Sequence, residues 1–426
     1  MKKQYILIFI LILILTGGIY TYKCNTKKLT EEEYMGRYAK EFNIDNSEES
    51  PELKYLLKEL KGKNLVFSSE YHGVKQNVDM NYKLTSFLID NWDLKYIFIE
   101  RDRCTGDMAD RYVQSGDERY LKYINSIYND AGYYKKLHEK NKNLPEDKKL
   151  KIIGADSSVF VNDIYNYTDC ISSLYLESLN EDTANKLKDY YNRIKDQAEL
   201  NIYMPNKNAQ GEMKDLLLEY KSYLNNIAGS DKEILSSAIE NLTAAIDDCV
   251  NINHDYFTKM TPGTSEDPEF YKVRDEKTCE NILYYKELYN IDKAYLHYGL
   301  NHVFQKQFNG TSFLASRLNE SEEFKDKVYS INTLYLDGYA YKGGTMGFYT
   351  ANDSMKKILE NQKLKDKNLI VNLNRNNSPF KRTFTDTCFH FEGSIVPEFE
   401  DNKGATTDYF QSLIIINSPE AIEPVK

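Results

Sequence analysis

Three apolar runs that each stop at an acid or a histidine constrain this chain more than any other feature. Asn64 to Phe67 leads into Ser-Glu-Tyr-His-Gly at Ser69 to Gly73. Lys95 to Ile99 stops at Glu100, and Ala294 to His302, AYLHYGLNH, sets two histidines around a glycine. Short uncharged runs bounded by polar and turn residues read as buried strands. In open α/β sheets a ligand lies beyond the carboxyl ends of the strands. Glu70, His72, Glu100, His297 and His302 can therefore converge although they lie far apart in sequence. The expected fold is α/β, with a central, largely parallel sheet flanked by helices.

The rest of the chain fills in that frame. Between the first two runs Val78, Leu84, Phe87 and Leu88 can share a helix face, which makes a βαβ unit. Lys151 to Ala155, KIIGA, reads as another buried strand ending at Asp156. From about 163 to 256 the pattern turns helical. Leu235, Ile239, Leu242, Ile246 and Val250 recur at the spacing of one helix face, as in a helical insertion. The turn-rich segment Thr261 to Asp267 is expected to border a cleft. A helix over Asp275 to Tyr289 and a strand over Lys293 to Leu296 resume the βα rhythm. The strand-rich C-terminal part, with VYSINTLYL, LIVNL and FQSLIIIN, is expected at the sheet edge or in a small subdomain.

Lys2 and Lys3 precede Tyr5 to Tyr20, which carries no charge. Residues 1–23 are read as a membrane anchor or signal segment, 24–50 as a polar stalk or short helix, and 51–426 as the folded domain. The basic flank predicts a single-pass cell-membrane protein, attached through residues 5–20, with its main domain outside. Lipidation at Cys24 is the alternative. Among 426 residues the net charge is −10, with no cluster of Lys and Arg. That argues against nucleic acid, whose phosphates need such a track. Beyond Cys24, five cysteines without a Cys-x-x-Cys spacing indicate neither a zinc ribbon nor a disulfide scaffold, and most of them read as buried small apolar residues.

The ordered landmarks SEYHG, YIFIE ending at Glu100, DRYVQSGD (Asp110 to Asp117), IIGAD ending at Asp156, VRDEKTCENI (Val273 to Ile282) and LHYGLNH ending at His302 span roughly residues 60 to 305. In this the sequence resembles the erythromycin esterase-like family. The wider group of that family includes haem-binding uptake lipoproteins and membrane-anchored metalloproteases. The resemblance implies a hydrolase in which His72 is the general base, Glu70 and Glu100 its acidic partners, and His302 and His297 complete the cluster. Three departures from the esterases proper stand out. Their Gly-Glu-x-x-His-Gly is replaced by Glu70-x-His72, closer to the other branches. The arginine expected on the following helix is absent, with Asn81 near its place and Lys83 the nearest cation. His297 and His302 are five apart rather than three.

Imidazole is the one side chain whose unperturbed pKa suits a base near neutrality, which favours His72 for activating water against an ester or related acyl bond of a small-molecule substrate. Asp156, Lys83 and Arg274 are candidates for binding that substrate. The bland alternatives are a turn cap for His72, an ion pair with Arg101 or Arg103 for Glu100, a core histidine for His297, a helix cap for Asp156, and helix-opening roles for Arg274 and Asp275. His138 reads as a solvated surface residue, and His254 and His390 as non-catalytic. The same histidines and acids could instead hold a divalent metal ion. No cofactor is otherwise indicated, and a surface protein binding a ligand such as haem is the competing class.

Overall fold

Short, largely apolar runs form the strands, and both faces of the resulting sheet are buried. The computed structural model describes residues 28–45, 50–124, 131–157, 161–203, 207–252, 268–342, 345–349, 353–389 and 404–423. Its strands are β1 (Lys40–Glu41), β2 (Leu65–Glu70), β3 (Tyr96–Ile99), β4 (Lys151–Gly154), β5 (Ala294–Gly299), β6 (Val328–Tyr335), β7 (Gly338–Lys342), β8 (Thr345–Tyr349), β9 (Leu369–Asn372) and β10 (Ser412–Ile416). Eight of them make one sheet in the order β1-β9-β10-β6-β2-β5-β3-β4, while β7 and β8 form a separate hairpin. The pairings from β10 through β4 are all parallel, and β9 runs antiparallel to both β10 and β1.

The helices are α1 (Glu31–Tyr38), α2 (Leu56–Glu59), α3 (Gln76–Trp92), α4 (Arg103–Ser115), α5 (Glu118–Ile124), α6 (Ala131–Lys142), α7 (Val161–Tyr175), α8 (Glu181–Tyr203), α9 (Lys207–Asn226), α10 (Gly229–Ile234), α11 (Ser236–Ile252), α12 (Pro268–Tyr289), α13 (Leu314–Glu320) and α14 (Asp353–Asn361). Local chemistry sets their ends. Thr30 and Glu33 close a capping box on α1, and the Asp102 carboxylate accepts the free N–H groups of Cys104 and Thr105 at the start of α4. Val66, Ile97, Ile152 and Tyr295 face one core, packed under α3, α4 and the helices α7 to α11. Leu65, Phe67, Phe98, Ile153 and Leu296 face the other, with side chains of α1, α12, α13 and α14. This is the period-two alternation of a sheet covered on both sides.

The tertiary structure corrects several expectations. β2 and β3 are not neighbours, because β5 enters between them. β6 and β10 lie inside the sheet rather than at its edge, and every residue of both is buried. The folded body does not begin at Pro51. β1 pairs with β9, and Tyr34 of α1 is buried and donates through its hydroxyl to the Asn372 carbonyl at 2.5 Å. α12 starts at Pro268, so Arg274 and Asp275 lie in its second turn and do not open it. Cys104, Cys170, Cys249 and Cys388 are buried thiols and Cys279 is half-buried. Among the described residues no helix is long and apolar enough to cross a membrane. Tyr5 to Tyr20, Cys24, Thr261 to Asp267, His254 and His390 lie outside the described residues.

Candidate active site

Register levels the ends of the central strands. Glu70 of β2 stands opposite Gly299 of β5, and Ile99 of β3 stands opposite both His297 of β5 and Gly154 of β4. Glu70 and His297 point to the same side of the sheet, and their Oε2 and Nε2 atoms meet at 2.6 Å. Beyond β2 the chain reverses at Gly73, whose φ of +82° suits glycine. A Cβ there would lie 1.9 Å from the Tyr341 carbonyl oxygen of β7. The Gly73 carbonyl accepts from the N–H groups of Tyr341 and Ile422, each at 3.0 Å, which pins the turn. The reversal folds His72 back so that its Nδ1 sits 2.8 Å from Glu70 Oε1. The short Glu-x-His spacing therefore leaves the acid facing the imidazole.

His72 Nε2 faces Glu100, 3.7 Å from Oε2. Glu100 is held on both oxygens, by the Gly299 N–H and by Arg274 Nη2, each at 2.6 Å. A Cβ on Gly299 would stand 3.3 Å from both Glu100 Oε2 and His72 Nε2, so the glycine leaves the space between acid and base clear. Glu70, His72, Glu100, Arg101, His297 and Tyr133 all line one cleft of about 630 Å³, counted out to open solvent.

Solved structures match this architecture over nearly its whole length. A Bacillus cereus protein is 16% identical over 93% of this chain and 98% of its own, with a TM-score of 0.61. A protein described as a succinoglycan biosynthesis protein is 14% identical over 92% and 97%, also at 0.61. An erythromycin esterase, a histidine-to-asparagine variant in its open conformation, is 14% identical over 91% of this chain and 99% of its own, at 0.59. The chain has the erythromycin esterase fold. At these identities the likeness is one of fold. No family model and no curated protein matches the sequence.

Within this esterase fold a second layer stands behind Glu100. Asp156 binds Arg274 through its Oδ1, 3.0 Å from Nε, and through an Oδ2 contact to Nη2, and also accepts from Thr278 at 3.0 Å. His302, on a 3₁₀ turn after β5, pairs its Nδ1 with Asp275 at 2.8 Å, and its Nε2 lies 3.5 Å from Glu100 Oε1. Asp156, Arg274 and His302 thus support Glu100 from behind and do not line the cleft. Lys83 is elsewhere. Its fully buried ammonium pairs with Glu52 at 3.0 Å and stands over the Phe42 ring. Two residues along a helix are about 200° apart, so Asn81 reaches the cleft while Lys83 points away. His138 is half-buried against Tyr112, not solvated, and its Nδ1 lies 3.0 Å from the Val113 carbonyl.

Burial by itself works against every charge in this cluster, yet the partners prevail. Burial raises the Glu70 carboxyl, but His297 and His72 pull it well below the usual range. Glu100 is lowered in the same way by Arg274, His72 and His302. Burial lowers the His72 imidazole, but Glu100 and Glu70 outweigh it and leave it raised, while His302 is raised by Asp275 and Glu100. The result is ionised carboxylates bracketing an imidazole that readily takes a proton. Among the described residues no group of three or more His, Cys, Asp and Glu side chains is arranged to hold a metal ion. Arg101 and Tyr133 also line the cleft without having been singled out from the sequence; the position of Arg101 directly after Glu100 is the one local signal for it.

Proposed function

We propose that this protein is a hydrolase in which His72 activates water for attack on an ester or related acyl bond. The observation that carries the reading is the placement of His72 at the carboxyl ends of the central strands. Its Nδ1 is committed to Glu70 and its Nε2 faces the cleft beside Glu100. An ionised Glu70 can only accept, so the Nδ1 proton is fixed and the Nε2 lone pair is the basic site. When Nε2 takes a proton from water, Glu70 and Glu100 stabilise the imidazolium that forms. A separation of 3.7 Å between Nε2 and Glu100 is too long for a direct hydrogen bond, and suits a water that donates to both. The fold shared with an erythromycin esterase supports the reaction class. The uncharged run Tyr5 to Tyr20 behind Lys2 and Lys3 supports a membrane-anchored protein whose domain is extracytoplasmic.

The test is turnover of a panel of small esters and macrolide lactones by the full-length protein in detergent, against His72→Ala, with and without chelator. The expected result is hydrolysis that falls about 10²–10⁴-fold in the variant and is insensitive to chelator. Loss on chelation makes the cluster a metal site, and no turnover of any substrate removes the hydrolase reading.

A further inference from the structure

We infer that Ser68 and Tyr295 are positioning residues that hold the His297 ring so that its Nε2–H stays on Glu70, and thereby fix the plane of the carboxylate that orients His72. The consequence for turnover rests on the hydrolase reading above; the hydrogen bonding does not.

Sheet register builds the arrangement. Ser68 of β2 is the pairing partner of His297 on β5, and Glu70 and Tyr295 lie two residues away on the same side of the sheet. Ser68 Oγ is 2.7 Å from His297 Nδ1 and 2.5 Å from Tyr295 Oη, and Tyr295 Oη is 2.8 Å from Asn81 Oδ1. His297 Nε2 then reaches Glu70 Oε2, whose partner oxygen Oε1 reaches His72 Nδ1. Six side chains, from Asn81 of α3 to the candidate base His72, thus form one unbroken path. Ser68 and Tyr295 are fully buried, and Asn81 is only 5% exposed.

Counting hydrogens shows what the path does. Ionised Glu70 accepts on both oxygens, so His297 presents N–H at Nε2. If the imidazole is neutral, Nδ1 is an acceptor and Ser68 donates to it, Tyr295 donates to Ser68, and the Asn81 amide turns its NH₂ toward Tyr295. If it is charged, Nδ1–H donates to Ser68, Ser68 to Tyr295, and Tyr295 to Asn81 Oδ1. A serine hydroxyl both donates and accepts, so the ring keeps a partner on each nitrogen in either state. Alanine at position 68 would take away the hydroxyl that Nδ1 meets in a buried site, where an unmet polar atom is costly.

The terminal torsion of a glutamate is soft. One hydrogen bond to His72 does not fix the carboxylate plane, whereas a second donor on the other oxygen does. Loss of the His297 anchor lets Glu70 rotate and carries His72 Nε2 off its line to the substrate, where a shift of about 1 Å costs on the order of 100-fold.

The experiment is imidazole NMR on the full-length protein and its Ser68→Ala, Tyr295→Phe and Ser68→Thr variants, with steady-state kinetics alongside. In the wild type the short His297–Glu70 bond is expected to give a far-downfield, slowly exchanging Nε2 proton. That signal is expected to be lost or moved in Ser68→Ala and Tyr295→Phe and kept in Ser68→Thr, whose hydroxyl replaces the serine's. In parallel kcat falls about 10- to 100-fold in Ser68→Ala with little change in KM, the acid limb of its pH profile moves, and Ser68→Thr restores both. A signal unchanged in Ser68→Ala and Tyr295→Phe overturns the inference, as does an unchanged kcat once the signal is gone. If the signal behaves as expected but the wild type hydrolyses no ester, the positioning of Glu70 stands and the hydrolase reading falls.

Discussion

His72 is raised above its ordinary value of 6.5 because Glu100 and Glu70 favour its charged form more than burial opposes it. A general base works neutral, so kcat/KM is expected to rise with pH through an acid limb lying above 6.5. Glu100→Gln removes one of the two anions and should move that limb down, which a pH–rate profile of the variant measures. At this scale much of the site was legible. Four of the five strand-end residues singled out, Glu70, His72, Glu100 and His297, line the same cleft. Lys83 was misread because proximity in sequence to Asn81 says nothing about direction on a helix. Its ammonium is buried against Glu52, and Lys83→Met is expected to leave KM unchanged while costing about 3–5 kcal/mol in urea unfolding, since it strands a buried carboxylate.

Among the elements, the turn after β2 matters most to the site. Gly73→Ala would force a side chain into a left-handed conformation and onto the Tyr341 carbonyl. It is expected to cost at least about 1–3 kcal/mol and to reduce turnover disproportionately, because the same turn aims His72; chemical denaturation and kcat on one sample separate the two effects. Strand runs were readable as short uncharged stretches bounded by polar residues, and β3 and β4 came out within a residue or two. α12 was placed too late because its first turns carry no apolar periodicity to mark them. That error concealed why Asp275 is buried. It does not serve a helix N-terminus but pairs with His302 on the 3₁₀ turn after β5.

The molecule as a whole carries two linked consequences of its charge cluster and its N-terminal segment. Glu70 and Glu100 are depressed below their ordinary 4.5, so they contribute stability that is present above that pH and lost as pH falls through the folded values. His72 and His302 are raised, so theirs is complete below 6.5 and lost as pH rises through the folded values. Both contributions coexist between 4.5 and 6.5, where thermal melts should show this cluster at its most stabilising. A chain begun at Pro51 is expected to melt well below one begun at Lys28, since it uncovers the edge of β9 and removes buried Tyr34, Met35 and Phe42, each worth about 1.5–3 kcal/mol. The sequence by itself determined the runs that become β2 to β6, β9 and β10, that helices flank the sheet, and that acids and histidines sit at strand ends, because an uncharged run and the polar residue that closes it are local; it did not single out β1, β7 or β8. Only the tertiary structure decided that β5 enters between β2 and β3, setting His297 against Glu70, and that Arg274 reaches across 174 positions to Glu100. Strand order is chosen by the packing of whole elements, and an ion pair that closes over such a distance leaves no pattern in the residues beside either partner.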